Sequence, residues 1–239
     1  MNRFPTFRAL AGAVTILAGV SATSEAVTSG IPAQITDETA GVPDFLAEKL
    51  PDAPPEPTFP DVFPVSLKIC PVMHVFNRPK TDEDLVMVNY APVVSAGENV
   101  RLATAPVAEG CLSSGFGMRR TRLHEGVDYF NQTAVDIYAA GNGVIKEMTY
   151  RNDFGNMIVI DHGDGVFTRY AHLERFSGLK EGAAVEAGDV IGLMGNTSSR
   201  KIARHLHFEV LTGEWGDEAG SFALTPLDVF DLPAADTEG

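Results

Sequence analysis

Cysteine, cationic side chains and long apolar runs are all scarce in this chain, and each scarcity excludes something. Cys70 and Cys111 are the only cysteines among 239 residues. They leave no C-x-x-C pair, so the zinc deaminase pattern is absent, and neither sits in a context that marks a nucleophile. Lysine and arginine number 18 against 32 aspartate and glutamate, a net charge of -14. So acidic a chain has no charge-driven affinity for nucleic acid, for anionic lipid or for a polyanionic cell wall. Any binding to such a wall needs a specific groove. No stretch after the first twenty-odd residues approaches the roughly 20 apolar residues of a membrane span, so no integral span is expected in the mature chain. G-x-S-x-G is missing as well. H-E-x-x-H fails, because the fifth residue from His124 is Asp128 and Gly126 disfavours a helix there.

Arg3 and Arg8, an apolar stretch from Ala9 to about Val20 and small residues at Ala22, Ser24 and Ala26 have the layout of a secretory signal peptide over residues 1–26. Its removal takes away Arg3, Arg8 and Glu25 and leaves the remainder one charge more negative. In an exported protein an even cysteine count predicts one disulfide, Cys70 to Cys111. Residues 27–84 are expected to form an acidic linker with a short apolar segment. Its densest part, "PDAPPEPTFP", has five prolines in ten residues, which excludes a regular helix or a central strand. "VSLKICPVMHVFNRP" (65–79) has room for a short strand tied through Cys70 to the downstream domain.

From residue 85 to 232 the pattern becomes short β-branched or alternating runs punctuated by Gly and Asn/Asp turns: "GNGVIKEM", "GNMIVIDHGDGVFTRYAHL", "GAAVEAGDVIGLMGN", "RHLHFEVLTG". Strands at such spacing predict a mainly β, antiparallel domain, followed by a tail at 233–239. "DHGDG" (161–165) reads as a hairpin turn, with His162 a structural residue inside it.

Five of the six histidines lie between 124 and 207. "LHEGVD" carries His124 and Asp128, "YAHL" carries His172, and "HLHFE" carries His205 and His207. On a strand, residues two apart share a face, so His205 and His207 point together while Leu206 and Phe208 point away. Two imidazoles about 7 Å apart do not share one small ion equally, since zinc–nitrogen bonds are about 2 Å. One of the pair therefore suits a metal and its neighbour suits a substrate or water. Catalytic zinc takes three protein ligands and keeps one position open. His124, Asp128 and one member of the 205/207 pair supply such a set.

"SSGFGMRRTRLHEGVD", "YAAGNGVIKE", "GNMIVIDHGDGVFTRYAHL", "VEAGDVIGLMGNT" and "HLHFEV" follow one another as they do in the lysostaphin-like (LytM-type) zinc metallopeptidases that cut bacterial peptidoglycan, which this chain resembles over about residues 85–230. The resemblance implies an antiparallel β domain of the duplicated-hybrid-motif type with a long open groove. It implies one zinc ion per chain, held by His124, Asp128 and His207, with His172 and His205 as the two active-site histidines that bind no metal. It implies an exported, periplasmic endopeptidase acting on peptidoglycan cross-links or stem peptides. The alternative it carries is a non-catalytic activator of cell-wall amidases, as relatives that have lost ligands are; here every ligand position is filled. Glu125 and Glu209 are not assigned by the family and read as structural.

One segment departs from the family pattern. "SSRKIAR" brings Arg200, Lys201 and Arg204 where glycine and small residues are usual, so these cations are candidates to meet carboxylates of a stem peptide. Residues 65–82, with His74 or Asn77, are weighed as a latency segment over the groove against a strap packed elsewhere. A biotinyl-type carrier is excluded, because "VIGLMGN" offers no lysine at its tip.

Overall fold

The computed structural model describes residues 61–235. The signal-peptide expectation and most of the linker expectation fall outside these residues, as do residues 236–239.

Among the described residues helix is confined to two single 3-10 turns, Ser221–Ala223 and Val229–Asp231. The rest is strand and loop, as the short alternating runs predict. The strands are β1 (Val93–Ser95), β2 (Arg101–Ala103), β3 (Cys111–Ser114), β4 (Gly117–Arg119), β5 (Arg122–His124), β6 (Val127–Phe130), β7 (Asp136–Tyr138), β8 (Gly143–Arg151), β9 (Gly155–Asp161), β10 (Val166–Phe176), β11 (Ala184–Val185), β12 (Val190–Met194), β13 (Leu206–Thr212) and β14 (Thr225–Leu227). Ten of them form one sheet whose main path runs β11-β8-β9-β10-β13-β6-β3, and β1-β2 and β4-β5 are separate pairs. Every named pairing is antiparallel.

The period-two alternation of β9, β10 and β13 sorts side chains onto two faces. Ile158, Ile160, Tyr170, Phe208 and Val210 enter the larger core. Met157, Val159, Phe167, Ala171 and Leu211 enter a smaller cluster on the opposite face with Phe154. Both faces are apolar at the sheet centre, so the central strands are buried on two sides. The expected hairpin turn joins β9 to β10: Asp164 and Gly165 adopt φ of 51° and 69°, and the His162 amide donates to the Val166 carbonyl at 2.9 Å. His162 bonds Asn142 O through Nδ1 at 2.7 Å and the Thr168 hydroxyl through Nε2 at 2.7 Å. It is a structural residue.

The packed unit begins upstream of the expected boundary at residue 85. Phe63, Leu67 and Ile69 are buried in the larger core, and the chain from 68 to 76 runs beside β3, with parallel bridges Ile69 to Leu112 and Phe76 to Ser114. Cys70 and Cys111 are joined as a disulfide across this contact, 41 residues apart in sequence. The apolar residues of 65–79 thus complete a sheet edge, which is why the stretch is not linker. At the other end, Ala234 bridges Val94 and the Ala235 amide donates to Val93 O, so the expected tail is packed as far as residue 235.

Two stability measurements test this packing. Replacing Cys70 and Cys111 together by serine is expected to lower unfolding stability by about 4 kcal/mol, from the loop entropy released, as read by urea denaturation; an unchanged midpoint would contradict a stapled edge. Burial pushes His162 down from 6.5 to about 4. The fold therefore keeps it neutral while the unfolded chain takes up a proton below pH 6.5, so its contribution is present above pH 6.5 and is lost as pH falls towards 4. His162→Gln is expected to flatten that part of the stability profile, and a slope identical to wild type would refute the assignment.

Candidate metal centre

The centre is built where β5, β6 and β13 converge. β5 ends on His124, the chain turns through Glu125 and Gly126, and β6 presents Asp128. Gly126 is obligatory for that turn's approach to β13, since a Cβ there would lie 2.2 Å from the Phe208 carbonyl oxygen. β13 pairs with β6 in a register that sets His207 directly opposite Asp128. As a result His124 Nε2 lies 3.0 Å from Asp128 Oδ1 and 3.0 Å from His207 Nδ1, and His207 Nδ1 lies 2.9 Å from Asp128 Oδ1. All three residues are buried.

Hydrogen bonds at the far side of each ring decide what these atoms are. His124 Nδ1 donates to the Gly115 carbonyl at 2.8 Å, and His207 Nε2 donates to Glu209 Oε1 at 2.7 Å. The inward atoms, Nε2 of one ring and Nδ1 of the other, are therefore the lone-pair nitrogens, and they face a carboxylate oxygen. Three acceptors about 3 Å apart repel one another unless a proton or a cation lies between them. Burial alone would raise the Asp128 pKa, but the adjoining His124 and His207 rings hold it well below the usual carboxylate range. Burial alone would lower that of His207, yet Asp128 and Glu209 push it up to about 9. The pocket thus favours positive charge, and Arg119 supplies part of it, with Nη2 3.0 Å from His124 Nε2. Two imidazole nitrogens and one carboxylate oxygen with edges near 3 Å are a donor set that fits a zinc-type ion with bonds of about 2 Å. Arg119 Nη2 donates to the other carboxylate oxygen, Oδ2, at 2.5 Å, which holds Asp128 with Oδ1 turned to the two rings.

His172 and His205 stand beside this triangle with ring centroids 4.6 Å apart. Strand parity alone would send His172 to the larger core with Tyr170. A bulge in β10 between Tyr170 and Leu173 inserts an extra residue and His172 takes φ 63°, which turns its ring to the groove, 6.1 Å from His207. Its Nδ1 donates to Thr197 O at 2.9 Å, and His205 Nδ1 donates to Ala203 O at 2.8 Å. Each ring therefore keeps a lone pair on Nε2. His205 Nε2 is 3.9 Å from Asp128 Oδ1. Burial, helped by the neighbouring His205, pushes His172 down to about 4, and burial also lowers His205. Both rings are neutral near pH 7.

The five residues line one groove of about 1030 Å³. Of the three cations singled out in sequence, Arg200 lines it; Lys201 does not, and Arg204 bonds the Met194 carbonyl at 2.7 Å, within 3.8 Å of Glu174. Arg119, Arg122 and Arg151 line it instead. No residue of 65–82 does, and His74 packs on Phe76 with ring centroids 4.7 Å apart. That segment is the strap packed elsewhere. It nonetheless serves the centre from behind: the Gly115 amide donates to Phe76 O, and Gly115 is the residue whose carbonyl orients His124.

The family profile described as "Peptidase family M23" matches residues 122–218. The chain is 37% identical over 110 residues to the DD-carboxypeptidase/endopeptidase Mpg of Neisseria meningitidis serogroup B, covering 44% of this chain and 25% of that protein. It is 36% identical over 107 residues to the peptidoglycan DD-endopeptidase ShyC of Vibrio cholerae, covering 42% and 24%. The chain thus spans about a quarter of the length of the curated relatives it matches. Among solved structures it is similar to a zinc containing peptidase from Vibrio cholerae, with 31% identity, coverage of 55% of this chain and 40% of that one, and a TM-score of 0.47.

Two contributors, Arg119 and Arg169, were not named from sequence, and a third, Glu209, was read only as structural. Glu209 is two residues beyond His207, so the alternation that pairs His205 with His207 also puts Glu209 on their face; the signal was present. Arg119 meets Asp128 through the β4-β5 hairpin, and Arg169 meets Glu209 through strand register, neither of which local spacing reveals. For His172 the bulge itself is testable. Glycine adopts φ 63° without the penalty of about 1 kcal/mol that a Cβ incurs, so His172→Gly is expected to exceed His172→Ala in urea stability by about that amount. An alanine variant as stable as the glycine one would contradict a left-handed residue at this position.

Proposed function

We propose that this chain, which carries a peptidase family M23 domain, is a zinc-dependent endopeptidase that hydrolyses peptide bonds of bacterial peptidoglycan outside the cytoplasm. The observation that carries the reading is the triangle of His124 Nε2, Asp128 Oδ1 and His207 Nδ1, with edges of 2.9–3.0 Å, in a groove that also holds two neutral imidazoles. The names of the relatives, a peptidoglycan DD-endopeptidase among them, support peptidoglycan as substrate, at its cross-links or stem peptides.

His124, Asp128 and His207 would hold the ion. Such an ion supplies Lewis acidity, polarising a scissile carbonyl and making water acidic enough to be a nucleophile near neutral pH. The chain's own residues do the rest. The open groove admits an extended peptide, and the imidazoles of His172 and His205 accept a proton at Nε2 because their Nδ1 protons are committed to the Thr197 and Ala203 carbonyls. Once protonated, the same nitrogen becomes a donor and passes its proton to the leaving amine or steadies the tetrahedral oxyanion. Asp128 stays ionised throughout, held by Arg119 at Oδ2.

Bound zinc and muropeptide release from purified sacculi test this together. Chelation is expected to abolish release and zinc to restore it. Asp128→Ala and His207→Ala should lose both metal and activity. His172→Ala and His205→Ala should keep the metal while kcat falls about 10²–10⁴-fold. Release that survives chelation, or a fully metallated wild type that releases nothing, would reject the proposal.

A further inference from the structure

Directly beneath His207 lies an ion pair that the reaction does not touch. Arg169 and Glu209 occupy facing positions on β10 and β13, and their side chains are 2% and 0% exposed. Arg169 Nη1 donates to Glu209 Oε2 at 2.5 Å, and Nη2 donates to Ser221 O at 2.8 Å. The guanidinium carbon sits 4.1 Å from the Phe222 ring centroid and 5.1 Å from that of Phe154. Stability alone does not account for such a pair, because desolvating both charges costs several kcal/mol each and an apolar pair of equal volume generally stabilises a fold as well or better. What the pair achieves is direction. With Oε2 taken by Arg169, the carboxylate is fixed so that Oε1 accepts from His207 Nε2 at 2.7 Å.

That hydrogen bond selects one ring form. If the proton moved to Nδ1, the Nε2 lone pair would face a buried carboxylate oxygen, and an N–H would point into the triangle where a cation must sit. With the proton on Nε2, the Nδ1 lone pair is turned to Asp128 and His124. We propose that Arg169 and Glu209 are a positioning pair that locks His207 with its Nδ1 lone pair directed at the metal centre, so that affinity for the ion is set by two residues that never touch it. The inference rests on reading the triangle as the metal centre, and it adds a determinant outside that triangle.

Two double variants of the full chain separate positioning from support, with zinc affinity measured by chelator competition and folding by circular dichroism. Arg169→Met with Glu209→Leu removes both charges and the acceptor; it should fold and bind zinc about 10–100-fold more weakly. Arg169→Met with Glu209→Gln removes both charges but keeps an amide oxygen for His207, and should recover most of the wild-type affinity. Equal affinity of the leucine pair and wild type would overturn the inference, and so would a glutamine pair as weak as the leucine pair. Nitrogen-15 spectra of zinc-loaded wild type give a reading independent of any variant: His207 must carry its proton on Nε2, and a proton on Nδ1 overturns the proposal. A wild type that binds no zinc would remove the metal centre itself, whereas zinc binding that ignores residues 169 and 209 would remove this inference alone.

Discussion

Two imidazole nitrogens and a carboxylate oxygen, buried and held within about 3 Å of one another, form an arrangement that electrostatics forbids unless positive charge stands among them. Much of the surrounding structure can be understood as the means of enforcing that arrangement. The Gly115 carbonyl fixes one ring, the Glu209 carboxylate fixes the other, and Arg119 fixes the carboxylate between them. Gly115 and Glu209 occupy the far sides of their rings, so the inward nitrogens present lone pairs, and Arg119 Nη2 reaches one of them, 3.0 Å from His124 Nε2.

The fold supplies this by register rather than by any single motif. β13 lies between β10 and β6 in the sheet. Its alternation sends Leu206, Phe208 and Val210 into the larger core, while His207 and Glu209 go to the groove face. The apolar side of the strand thus anchors the polar side. Two local departures from regular strand geometry complete the site: the glycine turn at Gly126, which lets β13 pass close, and the bulge that places His172 in the groove. The disulfide-tied strap holds the loop from which His124 takes its hydrogen bond.

How much of this the sequence discloses depends on the range of the information. The all-β class, the hairpin turn at 161–165, and the grouping of His205 with His207 all come from period-two alternation and turn residues, which are local. Residue types and spacing join His124 and Asp128 to one member of the 205/207 pair, but the choice of His207 is legible only as a resemblance, because 79 residues separate Asp128 from His207 and strand register is a long-range choice. Glu209 is readable from the same alternation yet gives no sign of its role, since its neighbour Arg169 lies 40 residues away. Arg204 shows the opposite failure: a cation beside a groove in sequence turns to a backbone carbonyl because its long side chain reaches Met194. The strap at 65–79, flanked by proline, resembles a linker until its apolar residues find the edge strand that the disulfide brings to them.

The central claim is that one cation sits among three named atoms. X-ray absorption and anomalous diffraction at the zinc edge, on crystals of the full chain grown with the metal, address it directly. The account predicts a single ion ligated by His124 Nε2, Asp128 Oδ1 and His207 Nδ1, with His172 and His205 outside bonding distance. An ion bound through other atoms, or a pocket that stays metal-free while the protein cleaves its substrate, would contradict it.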